Sequence, residues 1–199
     1  SNLVYYIPTR DDEGYGISKQ SIDYAASIGV KLIIVLDCGI KAVDEIAAML
    51  IDNGYSALPY HAGMSDIDRT HNQNEFIYDR TKIIVATNAF GMGIDKPNVR
   101  YVIHNNMPQN MEEYYQQAGR AGRDGEPSEC ILLYSGRDVK TNEYLIKKSA
   151  DSENMNDEQK EEYLATELEK LKLMTFSSTS KTVCMRKTTL EYFGERFIP

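Results

Sequence analysis

The chain is short of cysteine and of positive charge, and it has no long apolar run. Its three cysteines, Cys38, Cys130 and Cys184, lie in three separate segments, which excludes a disulfide framework and gives no metal-ligand spacing. No stretch is long and apolar enough for a signal-peptide core or a membrane span, so the expected setting is cytoplasmic, with no membrane partner. Thirty acidic residues against 22 basic ones leave a net charge of -8, so any nucleic-acid contact has to rest on a local patch or on another domain. Also missing are a Gly-x-x-x-x-Gly-Lys-Ser/Thr phosphate loop and an Asp-Glu motif of the kind that holds magnesium behind it. The residues that would bind most of a nucleotide are therefore expected elsewhere. With 199 residues, 42% of them hydrophobic, the chain can bury one substantial core and a small appendage, which excludes a large self-contained enzyme.

What is present alternates between strand and helix signals. Residues 3–7 are an apolar strand candidate stopped by Pro8, and Ser18 is a plausible cap for a helix ending near Gly29. Residues 31–36 form a continuous apolar run of the kind buried in parallel sheets. The spacing predicts a helix over 41–52, a strand over 57–61, and a helix capped by Ser65 with Asp68 three residues on. Strands follow over 82–87, 100–104 and 130–134, with a helix over 111–117. The pattern predicts an α/β fold with a mostly parallel sheet and helices on both faces. The acidic stretch 151–159 reads as a linker, and Lys147 and Lys148 before it read as a solvated helix end. Two small C-terminal helices are expected over 161–174 and 182–193.

Residues 116–125, QQAGRAGRDG, place Arg120 and Arg123 among glycines just after an amphipathic run. Glycine lets backbone approach a ligand closely, and guanidinium forks suit phosphate oxygens, so the stretch reads as a phosphate-gripping loop. Together with YHAGM at 60–64 and VATNAFGMGIDKPNVRYVIH at 85–104, it resembles the second motor lobe of RecQ-type ATP-dependent DNA helicases, over about 44–194. The resemblance implies a RecA-like lobe, followed by the start of a zinc-binding domain. It implies translocation 3′ to 5′ on single-stranded or partly duplex DNA, with ATP and Mg2+ held mainly by a separate first lobe.

By that resemblance Arg123 is the arginine finger reaching the γ-phosphate, Arg120 its neighbour in the same network, and Gln116 a residue that helps order it. Gly91, Gly93 and Asp95 match the motif linking the nucleotide cleft to the DNA strand. Thr87 and Asn88 are implied single-strand phosphate contacts. His61 is a candidate DNA-proximal residue, although a hydrogen-bonded structural histidine is the plainer reading of both His61 and His104. Tyr114 and Tyr115 can stack on bases or pack their helix. Cys184 matches the first ligand of the family's zinc domain, but the later cysteine cluster is not in this sequence, so zinc is not expected.

The first forty-odd residues depart from the pattern. Asp37-Cys38-Gly39-Ile40 and the segments 7–10 and 13–16 resemble part of RecJ-type single-strand exonucleases of the DHH family, with Asp37 matching a metal-binding aspartate whose partners are absent. The organisation expected is a nuclease-like piece over 1–43, the helicase lobe over 44–150, and a linker with truncated helices over 151–199. The seam would fall within 40–46. A shared-strand arrangement then predicts that 32–36 enters the same sheet as 82–87, whereas two independent pieces would separate them. Two other functions stay open: a non-catalytic nucleic-acid-binding or docking module, and a remnant of a single-strand exonuclease.

Overall fold

The computed structural model describes residues 33–36, 39–87, 96–152 and 155–197. These divide into two compact units. The first holds the described residues up to Asn106 together with Gln117–Leu133, and the second holds Met107–Gln116 and the residues from Tyr134 on. The strand and helix expected before residue 30 lie outside the described residues, as do Asp37 and Cys38.

The first unit is a five-stranded sheet. Its strands are β1 Ile33–Leu36, β2 Ala57–Tyr60, β3 Ile83–Ala86, β4 Tyr101–His104 and β5 Glu129–Leu132. The order is β2-β3-β1-β4-β5, and every neighbouring pair is parallel. β1 is the central strand, with Ile34 opposite Ile84 on one side and Val102 on the other. The expectation of a sheet shared with 82–87 therefore holds for the described strand, where Ile33–Val35 pair with Ile83–Val85, and Ile34, Val35 and Leu36 are fully buried. A run apolar on both faces suits this slot because helices cover both sides.

Side-chain parity shows how. Val35, Ile83, Val85, Tyr101, Ile103 and Ile131 point to one face, where they pack against Val43, Ala47 and Leu50 of helix α1, Ile40–Asp52. Ile34, Leu36, Ile84, Ala86 and Val102 point to the other, against Phe76 of α2, Asp66–Ile77. Successive strand residues alternate sides and helix residues recur every three or four positions, so both layers follow from the sequence periods. Ser65 caps α2 as expected, its hydroxyl accepting the Asp68 N–H at 3.1 Å.

The second unit is helical. Helix α3, Met111–Ala118, starts in it and is closed by reciprocal bonds: Asn110 Oδ1 accepts the Glu113 N–H, and Glu113 Oε2 accepts the Gln109 N–H, both at 2.9 Å. Then come α4, Gly136–Ser152, α5, Asp157–Thr179, and α6, Met185–Tyr192. Ile146, Ala150, Leu171 and Met174 are the buried apolar residues described in α4 and α5, which pack together. The expected linker over 151–159 is corrected: α4 continues to Ser152 and α5 begins at Asp157, because Asn156 and Gln159 form a capping box that turns acidic residues into a helix start. Lys147 and Lys148 are exposed, but inside α4 rather than at its end.

Candidate nucleotide and nucleic-acid interface

Because all five strands are parallel, their ends line one edge of the sheet and their starts line the other. His61 and Thr87 follow β2 and β3 at the edge of strand ends, the place where open α/β sheets hold ligands. Thr87 is half-buried and its N–H donates to the Tyr60 carbonyl at 3.2 Å. His61 is buried: Nδ1 accepts the Gly63 N–H at 3.1 Å, so Nε2 carries the proton it gives to Asp44 Oδ1 at 3.1 Å. Both ring nitrogens are thus engaged within the fold. Asn88, Gly91, Gly93 and Asp95 lie outside the described residues.

The glycine and arginine loop lies at the opposite edge. After α3 the Gly122 N–H donates to the Val99 carbonyl at 2.9 Å and the Asp124 N–H to the Pro97 carbonyl at 3.3 Å, which fixes the loop against the residues entering β4. Gly122 takes φ +64, and a Cβ there would stand 2.4 Å from Ser128 Oγ and 3.0 Å from the Glu126 carbonyl, so the position needs glycine for both its angle and its space. Arg100 ties the loop down from the side. It pairs with Asp124 and donates through Nη1 to the Pro127 carbonyl at 3.0 Å and through Nε to the Asn98 carbonyl at 3.1 Å. The Arg100 hydrogen bond holds the Asp124 carboxyl below its usual range.

The two arginines are placed differently. Arg120 is buried, and burial first, then the charge of Arg123, lowers its pKa, although a guanidinium stays charged at any physiological pH. Arg123 is exposed, its Nε donating to the Gly119 carbonyl at 3.1 Å. The loop therefore presents Arg123 outward on a backbone held by Arg100 and by strand-entry carbonyls. Gln116 is exposed on α3 and belongs to the second unit, as does Tyr115, whose ring lies 4.8 Å from that of Phe193. Tyr114 is buried.

Sequence reading passed over Arg100, Asp124, Lys96 and Asp79. Arg100 stands directly before an apolar strand and Asp124 directly before a glycine. Nothing in their spacing says that they meet.

Residues 22–125 match the helicase conserved C-terminal domain and residues 136–199 match the RecQ zinc-binding family. The ATP-dependent DNA helicase RecQ of Bacillus subtilis is 42% identical over 156 residues, 78% of this chain and 25% of that protein. An ATP-dependent DNA helicase of Caenorhabditis elegans is 34% identical over 205 residues, 100% of this chain and 29% of the relative. The chain thus spans about a quarter of the length of these relatives. The crystal structure of a DEAD box protein from Methanococcus jannaschii superposes with a TM-score of 0.55 at 24% identity, over 73% of this chain and 39% of that one, a likeness of fold.

One reading changes with these matches. The RecJ-like reading of 1–43 finds no support, since the helicase match begins at residue 22 and the Caenorhabditis elegans relative aligns across the supposed seam. The central strand β1 is then the lobe's own strand and needs no borrowed piece. Cys184 is the sole cysteine within 136–199, where histidine is absent, and it stands exposed at the start of α6. Among the described residues no group of three or more His, Cys, Asp or Glu side chains gathers to hold a metal. With its parallel sheet, its arginine loop and these matches, the chain belongs to the helicase conserved C-terminal domain family and is the C-terminal lobe of a RecQ-type helicase.

Proposed function

We propose that this lobe completes the ATP site of a separate first lobe and grips single-stranded DNA, so that the whole protein is an ATP-dependent 3′ to 5′ DNA helicase. The observation that carries this is the exposed Arg123 on a loop whose backbone is bonded to Pro97 and Val99, just past the expected nucleotide residue Asp95. A guanidinium so held can neutralise charge that develops on a transferring phosphoryl group, the part an arginine finger plays. Arg120 is its neighbour in the same phosphate network, which Gln116 helps order. Gly91, Gly93 and Asp95 contact the nucleotide. Magnesium and most of the ATP contacts come from the first lobe, in keeping with the missing phosphate loop.

At the other edge, Thr87 and Asn88 contact DNA phosphates through hydroxyl, amide and backbone N–H groups, while His61 shapes the loop beside them through Gly63 and Asp44. The test is DNA-stimulated ATP turnover of this chain alone and of the two-lobe protein. Turnover confined to the two-lobe protein, with Thr87→Ala weakening single-strand binding, supports the proposal. Turnover by this chain alone contradicts it.

A further inference from the structure

The loop that carries Arg123 is bonded to residues 97–100, and what holds those residues lies further back, at the end of α2. Lys96 is 4% exposed, and its Nζ donates to the Ile77 carbonyl and to Asp79 Oδ1, each at 2.8 Å. Its ammonium also stands 5.3 Å from the centroid of the Phe76 ring, within cation–π range. Asn98 Nδ2 reaches the same carboxylate oxygen at 3.3 Å. The next bonds along the segment are those of the Pro97 and Val99 carbonyls to Asp124 and Gly122 of the arginine loop. A buried ammonium is costly unless it is paired and hydrogen-bonded, so Lys96 holds its place only while Asp79 and the end of α2 hold theirs. Asp79 is itself in an uncommon state, a non-glycine residue at φ +60, which aims its carboxylate from the turn that ends α2.

We infer that Lys96 and Asp79 are positioning residues for the arginine loop: they fix the strand-entry segment 96–100 to α2, and that segment fixes the backbone from which Arg123 acts. The inference rests on the arginine-loop reading above. Its consequence is that a pair at the end of α2 sets the turnover rate with little effect on nucleotide affinity, because a small displacement of a group that acts in the transition state affects rate first.

The test uses the intact helicase containing this lobe and reads kcat and KM for ATP in DNA-stimulated turnover. Lys96→Met is expected to lower kcat by about 10- to 100-fold with KM little changed, the loss that follows from roughly 1 Å of misplacement. Asp79→Asn keeps an oxygen for Lys96 and Asn98 and suits the left-handed backbone but removes the counter-charge, so its rate should lie between wild type and Asp79→Gly. Asp79→Gly keeps the backbone angle but removes the acceptor, so it should fall with Lys96→Met. Amide exchange over 119–125 should quicken in both impaired variants while Ile83–Ala86 stays protected.

If Lys96→Met fails to fold, Asp79→Gly decides. Full kcat in Asp79→Gly, or losses in kcat and affinity of equal size, overturns the inference. Arg123→Ala run in parallel separates the two readings. If it leaves kcat intact, the arginine-loop reading falls; if it abolishes turnover while Asp79→Gly and Lys96→Met do not, only the positioning role falls.

Discussion

Gly122 carries two constraints at once, a left-handed backbone and contact with Ser128 and Glu126 that leaves no room for a Cβ. The angle alone disfavours an L-residue by about 1–2 kcal/mol. Gly122→Ala is therefore expected to destabilise the lobe by about 2–3 kcal/mol, read from urea midpoints, with only partial recovery in the Ser128→Ala background because the angle remains strained. Titration gives a second residue-level expectation. Asp79 is held below its usual range first by the hydrogen bond from Lys96, and Asp124 first by that from Arg100. Folded values below the unfolded one near 3.9 mean that both carboxylates stabilise the fold above about pH 4, and that this contribution is lost as pH falls through the lowered values. Burial raises Glu129, which works in the opposite direction. Asp79→Asn should flatten the loss of stability as pH falls below about 4, measured as urea midpoint against pH, and an unchanged slope would contradict the pairing with Lys96. Cysteine reactivity should differ likewise. Burial, then the neighbouring Glu129 charge, pushes the Cys130 thiol up to about 12, whereas Cys184 is exposed. A thiol reagent at pH 8 should label Cys184 promptly and Cys130 only on unfolding, checked by peptide mass mapping.

Among the elements, the five strands and their flanking helices were legible because each carries a strong local period, and Phe76 shows where the pattern concentrates. It is fully buried on the α2 face of the sheet, so Phe76→Ala should cost about 3–5 kcal/mol, measured by chemical denaturation. The order of the strands was less legible. The run 31–36 reads as a buried strand, but its place between β3 and β4 depends on crossovers that no local signal encodes. The arginine loop was visible as glycine and arginine in the sequence, while its clamps were not: Arg100 to Asp124 and Lys96 to Asp79 join residues 24 and 17 apart through tertiary geometry. Composition misled at 151–159, where acidic residues suggested a linker and a capping box made a helix start. Helix α6 has its own anchor, since the Tyr192 hydroxyl donates to Glu112 Oε1 at 2.6 Å and Lys170 lies 3.3 Å from the same oxygen. Burial and that carboxylate push the Tyr192 hydroxyl up to about 12. Tyr192→Phe should loosen α6 by about 1 kcal/mol, seen as faster amide exchange over Met185–Tyr192.

For the whole molecule, the chain spans about a quarter of the Bacillus subtilis and Caenorhabditis elegans relatives, and the lobe supplies an arginine loop at one sheet edge and strand-end residues at the other. Such a division fits a machine in which one lobe holds ATP and its partner completes the charge environment when the two meet. On the function proposed above, Arg123 acts on the transition state rather than on nucleotide binding. Steady-state ATP turnover of the intact helicase with saturating single-stranded DNA tests it most directly, comparing wild type with Arg123→Ala. The expected result is a fall in kcat of about 10³-fold or more while KM for ATP stays within a few-fold. Unchanged kcat, or a loss of affinity as large as the loss of rate, would contradict it.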